Sequence, residues 1–156
     1  MLKKSLFTVV GVVLLIGAAA TWFIWNEAAQ GVPATEAEDL YLTPADRFVD
    51  IAGARVRVRE EGPADAPVIL LVHGFTFSLE SWDAWAEILQ SDYRVVRYDL
   101  LGHGLTGPDP EERYAPEERA QFIGEVLDAL EIDRAIIAGN SLGVLAALRF
   151  AATDRG

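Results

Sequence analysis

The ten residues RAIIAGNSLG, at positions 134–143, decide the fold of this 156-residue chain. The apolar run at 134–138 is typical of a β-strand, and residues 142–151 have the composition of a helix. Between them, residues 139–143 fit the pattern G-x-S-x-G, which in a strand-turn-helix context indicates a nucleophile elbow. The glycines let the backbone turn tightly, so that Ser141 can adopt a strained conformation with its hydroxyl exposed. The alternative is an ordinary glycine-rich turn in which Ser141 caps the helix.

A buried strand and an amphipathic helix are predicted upstream of this turn. Residues 67–72 (PVILLV) are a continuous apolar run, the pattern of a strand that is buried on both faces of a parallel sheet. Residues 93–98 (YRVVRY) predict a further strand. Between these strands a helix is expected over residues 81–90, with Ser81 as its N-cap. Its apolar face consists of Trp82, Trp85, Ile88 and Leu89.

A second helix is predicted from Pro116, a residue that suits the first helical turn. The apolar positions of this helix recur at a spacing of 3.6 residues. They are Phe122, Ile123, Val126, Leu127 and Leu130. Crossover connections through the helices make the last three strands parallel, so the loops at their carboxyl ends share one edge of the sheet.

The chain before these strands predicts an antiparallel hairpin. Residues 48–51 and 55–59 are short β-type runs joined by a turn that contains Gly53. Val56 and Val58 alternate with arginines in the second run, so we expect one face of the hairpin to be solvated. The expected fold class is therefore α/β, with a mostly parallel sheet and an N-terminal antiparallel hairpin.

The buried strand runs directly into His-Gly-Phe at positions 73–75. Acyl transfer develops negative charge on an oxygen of the substrate, and this charge needs hydrogen-bond donors that already point at it. The natural donors are the backbone N–H groups of Phe75, after the His-Gly pair, and of Leu142, after Ser141. His73 itself is interpreted as a structural turn residue rather than a proton carrier. Phe75 and Phe77 either line an acyl pocket or pack against the core.

Residues 99–106 (DLLGHGLT) form another motif, at the end of the neighbouring strand. Asp99 is expected to hold this loop by accepting hydrogen bonds from backbone N–H groups. We interpret the motif as scaffold, because it follows a strand other than the one that bears Ser141.

Taken together, these ordered motifs resemble the α/β-hydrolase superfamily. The resemblance extends over residues 46–150 and rests on the hairpin, H-G-F, a downstream Ser-Trp pair at 81–82, D-x-x-G-x-G-x-T and G-N-S-L-G. It implies a serine hydrolase that acts on ester-like acyl bonds, with Ser141 as nucleophile and the N–H groups of Phe75 and Leu142 as oxyanion hole. Serine rather than aspartate at the nucleophile position points away from the dehalogenase and epoxide hydrolase branches. No metal and no organic cofactor is implied.

The sequence departs from the family pattern in two respects. Val144 stands where many relatives carry a second glycine. In addition, the family places an acid and a histidine after the nucleophile, whereas residues 142–156 contain one acid, Asp154, and no histidine. His103 precedes Ser141 on another loop, so its use as the base would need a new geometry.

We therefore interpret the chain as the N-terminal half of a serine hydrolase, truncated and inactive as it stands. In such a half, the strand that bears Ser141 is expected to become an exposed apolar edge of the sheet. The alternative is a non-catalytic, membrane-tethered α/β domain that serves as a structural or interaction unit. A small-molecule acyl substrate is the partner expected for the enzyme, and the oligomeric state stays open.

The N-terminal residues 5–26 are an uncharged, largely apolar run that spans roughly 31–33 Å as a helix, close to the thickness of a bilayer core. Lys3 and Lys4 precede the run, so the positive-inside bias predicts a cytoplasmic N-terminus and a body on the extracytoplasmic, periplasmic side. We prefer an uncleaved transmembrane anchor, in the membrane through residues 5–25. The alternatives are a cleaved signal peptide with small residues at 18–20 and a buried soluble helix.

The predicted organisation is a signal anchor over residues 1–26, a tether over 27–45 and the N-terminal part of a hydrolase domain over 46–156. The net charge is −11, and residues 31–156 hold 23 acidic side chains against 11 arginines. Such an acidic body repels phosphate backbones, so nucleic acid is not an expected partner. The sequence contains no cysteine and two histidines, which excludes disulfides and gives no basis for a metal site.

Overall fold

The computed structural model describes residues 2–30 and 33–153. The chain separates into two compact units, Met1–Leu40 and Tyr41–Gly156. Its helices and strands are, in order, α1 (Leu2–Gln30), α2 (Ala34–Tyr41), β1 (Asp46–Ile51), β2 (Ala54–Glu61), β3 (Val68–Val72), a 3-10 helix (Leu79–Trp82), α3 (Asp83–Leu89), β4 (Arg94–Tyr98), α4 (Pro116–Ala129), β5 (Ala135–Gly139) and α5 (Leu142–Ala151).

The first unit contains helix α1, which covers the apolar run near the N-terminus. The large apolar side chains at positions 13–16 and 22–25 of this helix are exposed. Residues 34–41, within the segment predicted as a tether, form the short helix α2. For the predicted membrane span the structure offers no support, since no helix among the described residues is long and apolar enough to cross a membrane.

Five strands of the second unit form one mixed sheet in the order β1-β2-β4-β3-β5. β1 and β2 make the predicted antiparallel hairpin, in which Val49 pairs with Val56. β4 and β5 both run parallel to β3, so that Val72 pairs with Tyr98 on one side and with Gly139 on the other. The predicted α/β class, the hairpin and the parallel arrangement of the last three strands are confirmed. The sheet is mixed rather than mostly parallel, because β2 pairs antiparallel with both β1 and β4. The carboxyl ends of β3, β4 and β5 consequently meet at one edge of the sheet.

Strand β5 lies at one end of the sheet, as expected for the strand that precedes Ser141. Among the strands that the structure describes, it pairs only with β3. Ile136 in its centre is about half exposed. The free edge of β5 therefore presents unpaired backbone groups next to an apolar side chain, a combination that favours association with other strands.

The main core lies between the sheet and helices α4 and α5. The five apolar positions predicted for the second helix are all at least nine-tenths buried, which confirms its amphipathic pattern. A smaller cluster on the opposite face joins Ile69, Leu71 and Val95 to Ala86 of α3. The sheet is thus covered on both faces, as its continuous apolar strands predicted.

This second face also carries arginine side chains that are buried rather than solvated. Arg57 is 1% and Arg59 is 6% exposed, so the predicted solvated face of the hairpin is wrong at these positions. The 3-10 helix and α3 cover them and supply carboxylates. Glu80 accepts a hydrogen bond from Arg57, and Asp83 contacts both Arg59 and Arg97. Buried guanidinium groups need such partners, because an unpaired buried charge is strongly destabilising.

Helix α3 differs from its prediction in both its start and its buried face. Ser81 does not cap it, because the Ser81 hydroxyl donates to the backbone carbonyl of Ser78 instead. Trp85 and Ile88, predicted to face the core, are 57% and 70% exposed, whereas Ala86 is buried. The other two predicted positions, Trp82 and Leu89, are partly buried and pack against the same cluster as Ala86.

Asp46, at the start of β1, pairs with two of the buried arginines. Its carboxylate accepts hydrogen bonds from Arg59 Nε at 2.8 Å and from Arg57 Nη2 at 3.0 Å. Burial acts to raise the pKa of Asp46, but the hydrogen bonds from Arg59, Arg57 and Thr43 outweigh burial and hold this pKa well below its ordinary value of 3.8. A carboxyl with a lowered pKa stabilises the fold above the pKa of the unfolded state, and this stabilisation is lost as pH falls.

The substitution Asp46→Asn is expected to lower the free energy of unfolding at pH 7 by about 3 kcal/mol, the cost of removing one partner of a buried ion pair. Because ionised Asp46 contributes only above about pH 4, the difference from wild type should shrink steadily as the pH falls below that value. Urea unfolding at a series of pH values measures both effects. Asp65→Asn, at an exposed carboxyl, is the matched control and should change stability by no more than about 0.5 kcal/mol. A difference for Asp46→Asn that stays constant with pH would contradict the ion pair.

Candidate active site

The turn between β5 and α5 is tight because two glycines let backbone segments touch. A side-chain carbon on Gly139 would lie 2.5 Å from the carbonyl carbon of Gly143, and one on Gly143 would lie 2.2 Å from the carbonyl oxygen of Val72. Any larger residue at either position would force the strands and the helix apart. The N–H of Asn140 also donates to the carbonyl oxygen of Val72 at 3.0 Å, which ties the turn to β3.

Ser141 stands at the apex of this turn with φ 49° and ψ −110°. Residues other than glycine rarely adopt a positive φ, and holding one there costs about 1–3 kcal/mol. Ser141 is exposed, and its hydroxyl makes no capping hydrogen bond to α5. The structure therefore does not show the alternative in which Ser141 is a helix cap, and the hydroxyl is open to a ligand.

Gly74 brings the H-G-F turn against this elbow. A side-chain carbon on Gly74 would lie 3.0 Å from Oδ1 of Asn140 and 3.3 Å from Cβ of Ser141. The next residues in each turn are Phe75 and Leu142. Within residues 2–30 and 33–153, neither the Phe75 N–H nor the Leu142 N–H donates a hydrogen bond. An oxyanion hole is built from backbone N–H groups of this kind, which have no other partner and lie on turns beside a nucleophilic hydroxyl.

His73 is fully buried between the loops that follow β3 and β4. Its Nδ1 lies 2.8 Å from the carbonyl oxygen of Gly74, and its Nε2 accepts a hydrogen bond from the Leu100 N–H at 2.9 Å. This pairing requires the neutral ring with its proton on Nδ1. Burial lowers the pKa of His73, which favours the same neutral form. With both nitrogens engaged, His73 cannot take a proton from Ser141.

His103 lies at the same edge of the sheet. Its ring centroid is 5.5 Å from that of His73 and 5.7 Å from that of Phe75. Its Nδ1 lies 3.0 Å from the carbonyl oxygen of Leu101. Among the described residues, no hydrogen bond joins His103 to Ser141, in line with the expectation that a His103 base would need a new geometry.

The loop after β4 is organised around the buried carboxylate of Asp99. Its two oxygens accept hydrogen bonds from the N–H groups of Leu79 and Leu105, each at 2.8 Å. Gly104 has φ +49°, and a side-chain carbon there would lie only 2.2 Å from the carboxylate. Burial raises the pKa of Asp99 in spite of these hydrogen bonds. The carboxylate organises backbone, as the scaffold interpretation predicted.

An aromatic cleft of about 220 Å³ opens beside the elbow. Its lining consists of Phe77, Ser81, Trp82, Trp85 and Asn140. A larger cavity of about 580 Å³ lies between α4 and α5, and no residue of the elbow or of the H-G-F turn lines it. The smaller cleft is therefore the one placed to receive a group next to Ser141.

Comparison with known proteins agrees with this geometry. A family profile described as alpha/beta hydrolase fold matches residues 67–155, more than half of the chain. The chain belongs to this family. The matched part runs from β3 to α5 and includes both the H-G-F turn and the elbow, so the alpha/beta hydrolase family shares the segments that build the candidate site.

Individual alpha/beta hydrolase relatives match the same part of the chain. Esterase YbfF of Escherichia coli is 37% identical over 89 residues, which cover 56% of this chain and 34% of that protein. The 3-oxoadipate enol-lactonase 1 of Acinetobacter baylyi is 34% identical over 96 residues, covering 62% and 35%. The crystal structure of a hydrolase from Pseudomonas aeruginosa superimposes with a TM-score of 0.62 at 33% identity, covering 67% of this chain and 40% of that one. The chain thus spans about a third of the length of these curated relatives.

Two features of the candidate site do not follow from the sequence patterns. The pattern places Trp85 on the apolar face of its helix, whereas Trp85 is exposed and lines the cleft. Apolar periodicity cannot separate a core position from a cleft position. Arg57 was assigned to solvent but is buried within reach of Asp99, with Nη1 at 3.5 Å from its carboxylate. The excess of acidic residues in the body was the one available signal that buried arginines would find partners.

The substitution Gly143→Ala is expected to lower the free energy of unfolding by about 3 kcal/mol, because its β-carbon would collide with the backbone of Val72. Urea unfolding of the full chain measures the effect. Val144→Ala, at a partly exposed position on the same helical turn, is the matched control and should stay within about 0.5 kcal/mol of wild type. Equal losses of unfolding free energy in the two variants would show that the close approach of Gly143 to Val72 does not stabilise the turn.

Proposed function

We propose that this chain carries the nucleophile and the oxyanion hole of a serine hydrolase that acts on ester-like acyl bonds. The observation that carries the proposal is the exposed hydroxyl of Ser141 on a strained turn, flanked by the free N–H groups of Phe75 and Leu142. Ser141 Oγ would attack the acyl carbonyl carbon, and the two N–H groups would stabilise the negative charge on its oxygen. The alcohol would leave, and water would then release the acyl group from Ser141.

The relatives support the ester-like bond. One is named an esterase and another an enol-lactonase, and a lactone is a cyclic ester. The aromatic cleft supports an apolar acyl group as the part of the substrate that lies beside Ser141, because Phe77, Trp82 and Trp85 offer it few polar partners. No metal and no organic cofactor enters the proposed reaction.

The proposed reaction also needs a base. Both nitrogens of His73 are engaged, and residues 142–156 contain no histidine. Without a base, Ser141 is a neutral and weak nucleophile. We therefore propose that residues 1–156 by themselves turn over esters negligibly, although Ser141 can react once with a strong acylating or phosphonylating reagent.

A second candidate is a non-catalytic domain that uses the α/β fold as a structural or interaction unit. One observation favours it: among the described residues, Ser141 contacts no group that could act as its base. The two candidates differ in the reactivity that they predict for Ser141.

Phosphonylation of the folded chain by a fluorophosphonate probe tests the proposal. Ser141 is expected to react at least about 100-fold faster than an exposed control serine, because oxyanion-hole donors accelerate such reactions by about that factor. Labelled residues are identified by mass spectrometry of peptides. Ser141→Ala should abolish this labelling, and Ser91→Ala, at an exposed serine of another loop, should leave it unchanged. Labelling of Ser141 no faster than of Ser91 in a folded sample would favour the non-catalytic candidate.

We also propose, from the sequence, that the N-terminal segment directs the body to the extracytoplasmic side. Lys3 and Lys4 before the apolar run support this orientation, whether the segment stays as an anchor or is cleaved as a signal peptide.

Fusion of alkaline phosphatase to the C-terminus of the full chain tests this location in bacteria, since the enzyme matures only after export. We expect high phosphatase activity from the fusion and its loss on deletion of residues 2–26. If the phosphatase fusion is inactive while a fusion of green fluorescent protein to the same C-terminus is fluorescent, the proposed location is refuted, because green fluorescent protein fluoresces in the cytoplasm.

A further inference from the structure

The loop of residues 74–79 carries a strained backbone between two anchored ends. Thr76 has φ 63°, a conformation that residues with a side chain rarely adopt. The Phe77 N–H donates to the carbonyl oxygen of Gly74 at 3.3 Å and closes the turn. A strained loop keeps one conformation only when its surroundings hold it there. Because this loop contains the Phe75 N–H, its anchors decide where that donor points.

The first anchor is His73, and the second consists of two carboxylates at the far end of the loop. Asp99 Oδ1 accepts the N–H of Leu79 at 2.8 Å. Glu80 Oε2 accepts the hydroxyl of Ser78 at 2.6 Å. Asp99 is fully buried, and Glu80 is about one-third exposed. Two carboxylates drawn together in this way repel each other unless a cation lies between them.

Arg57 is that cation. Its Nη2 donates to Oε1 of Glu80, and its Nη1 lies 3.5 Å from Oδ2 of Asp99. The side chains of Arg57 and Asp99 are 1% and 0% exposed, so water screens the contact between them only weakly. Its backbone is fixed as well, because its N–H donates to Thr106 Oγ1 and its carbonyl accepts from the Asp99 N–H, each at 3.0 Å.

The charge of Glu80 depends on this arrangement. Burial acts to raise the pKa of Glu80, but hydrogen bonds from Ser78 and Arg57 outweigh burial and lower this pKa overall. Glu80 therefore stays ionised at neutral pH and can accept hydrogen bonds from Arg57 and Ser78 at the same time.

We infer that Arg57 is a positioning residue for the site: its guanidinium joins Asp99 to Glu80, these carboxylates fix residues 78–79, and the fixed loop aims the Phe75 N–H. The inference rests on the proposed function, because it assigns a purpose to the Phe75 N–H. Arg57 belongs to β2 of the N-terminal hairpin, whereas the Phe75 N–H that it positions follows β3. Lysine cannot replace it fully, because one ammonium group does not reproduce the planar fork that reaches both carboxylates.

Three variants of the full chain test this inference. Arg57→Lys keeps the charge but loses the fork. Glu80→Ala removes one link and leaves Arg57, Asp99 and the buried core in place, so it provides a folded sample if Arg57 variants fail to fold. Arg94→Met is the control, since it breaks an ion pair of similar kind with Glu60 that does not touch the loop.

Hydrogen exchange followed by mass spectrometry is the first measurement. In Arg57→Lys and Glu80→Ala, the rate of amide hydrogen exchange in residues 74–79 should rise about tenfold, because the contacts that hold residues 78–79 are weakened. Exchange in residues 135–151 should stay within about twofold of wild type, because the elbow keeps its own contacts. Arg94→Met should change neither segment. Equal acceleration in both segments, or none in residues 74–79, would overturn the inference.

The second measurement is the rate of phosphonylation of Ser141 as a function of probe concentration. The limiting rate should fall about 100-fold in both test variants, the loss that follows when a donor moves by about 1 Å. The probe concentration at half-saturation should stay unchanged, because binding in the cleft does not use the Phe75 N–H. A lower affinity with an unchanged limiting rate would overturn the inference. If wild-type Ser141 does not react at all, the proposed function fails, whereas the exchange result still decides whether Arg57 positions the loop.

Discussion

The closest backbone approach at the elbow, between the carbonyl of Val72 at the end of β3 and Gly143 in the first turn of α5, is the constraint on which the candidate site depends. Only hydrogen atoms fit on Gly143 at this distance, so α5 can start directly above the sheet. Since β3 lies between β4 and β5, the contact centres the start of α5 over the parallel part of the sheet. Ser141 joins the strand to the helix with a positive φ, a strained conformation that the surrounding contacts hold in place.

A second requirement is electrostatic. One face of the sheet is covered by α4 and α5 through apolar contacts, whereas the other carries Arg57, Arg59 and Arg97 beneath a short helical segment. These guanidinium groups are stable there because Asp46 and the carboxylates of residues 80–83 pair with them. Part of the excess of acidic residues therefore serves to neutralise arginines inside the fold.

The two requirements act on different halves of the same site. Glycine contacts place Ser141 and the Leu142 N–H, and the charged cluster places the loop that carries the Phe75 N–H. Gly74 joins them, because a side-chain carbon at this position would lie only 3.3 Å from Cβ of Ser141. The chain covers about a third of the length of two relatives that match it, one named an esterase and the other an enol-lactonase. A shared fold segment does not fix one substrate, so the substrate cannot be assigned from this segment alone.

Local sequence patterns were sufficient to predict the strands, the helices α4 and α5 and the tight turn at Ser141. The apolar run before β5, the spacing of apolar residues in α4 and the glycines around Ser141 each act over a few neighbouring residues, so the sequence alone determined them. The environment of Arg57 and the exposure of Trp85 followed only from the tertiary structure. From its strand pattern Arg57 is expected to be solvated, and only the folded chain shows that carboxylates from residues 80–99 lie against it. From its helix pattern Trp85 is expected on the apolar face, and only the folded chain shows which side of that helix is buried. Both depend on contacts between segments far apart in the chain, and no local pattern encodes such contacts.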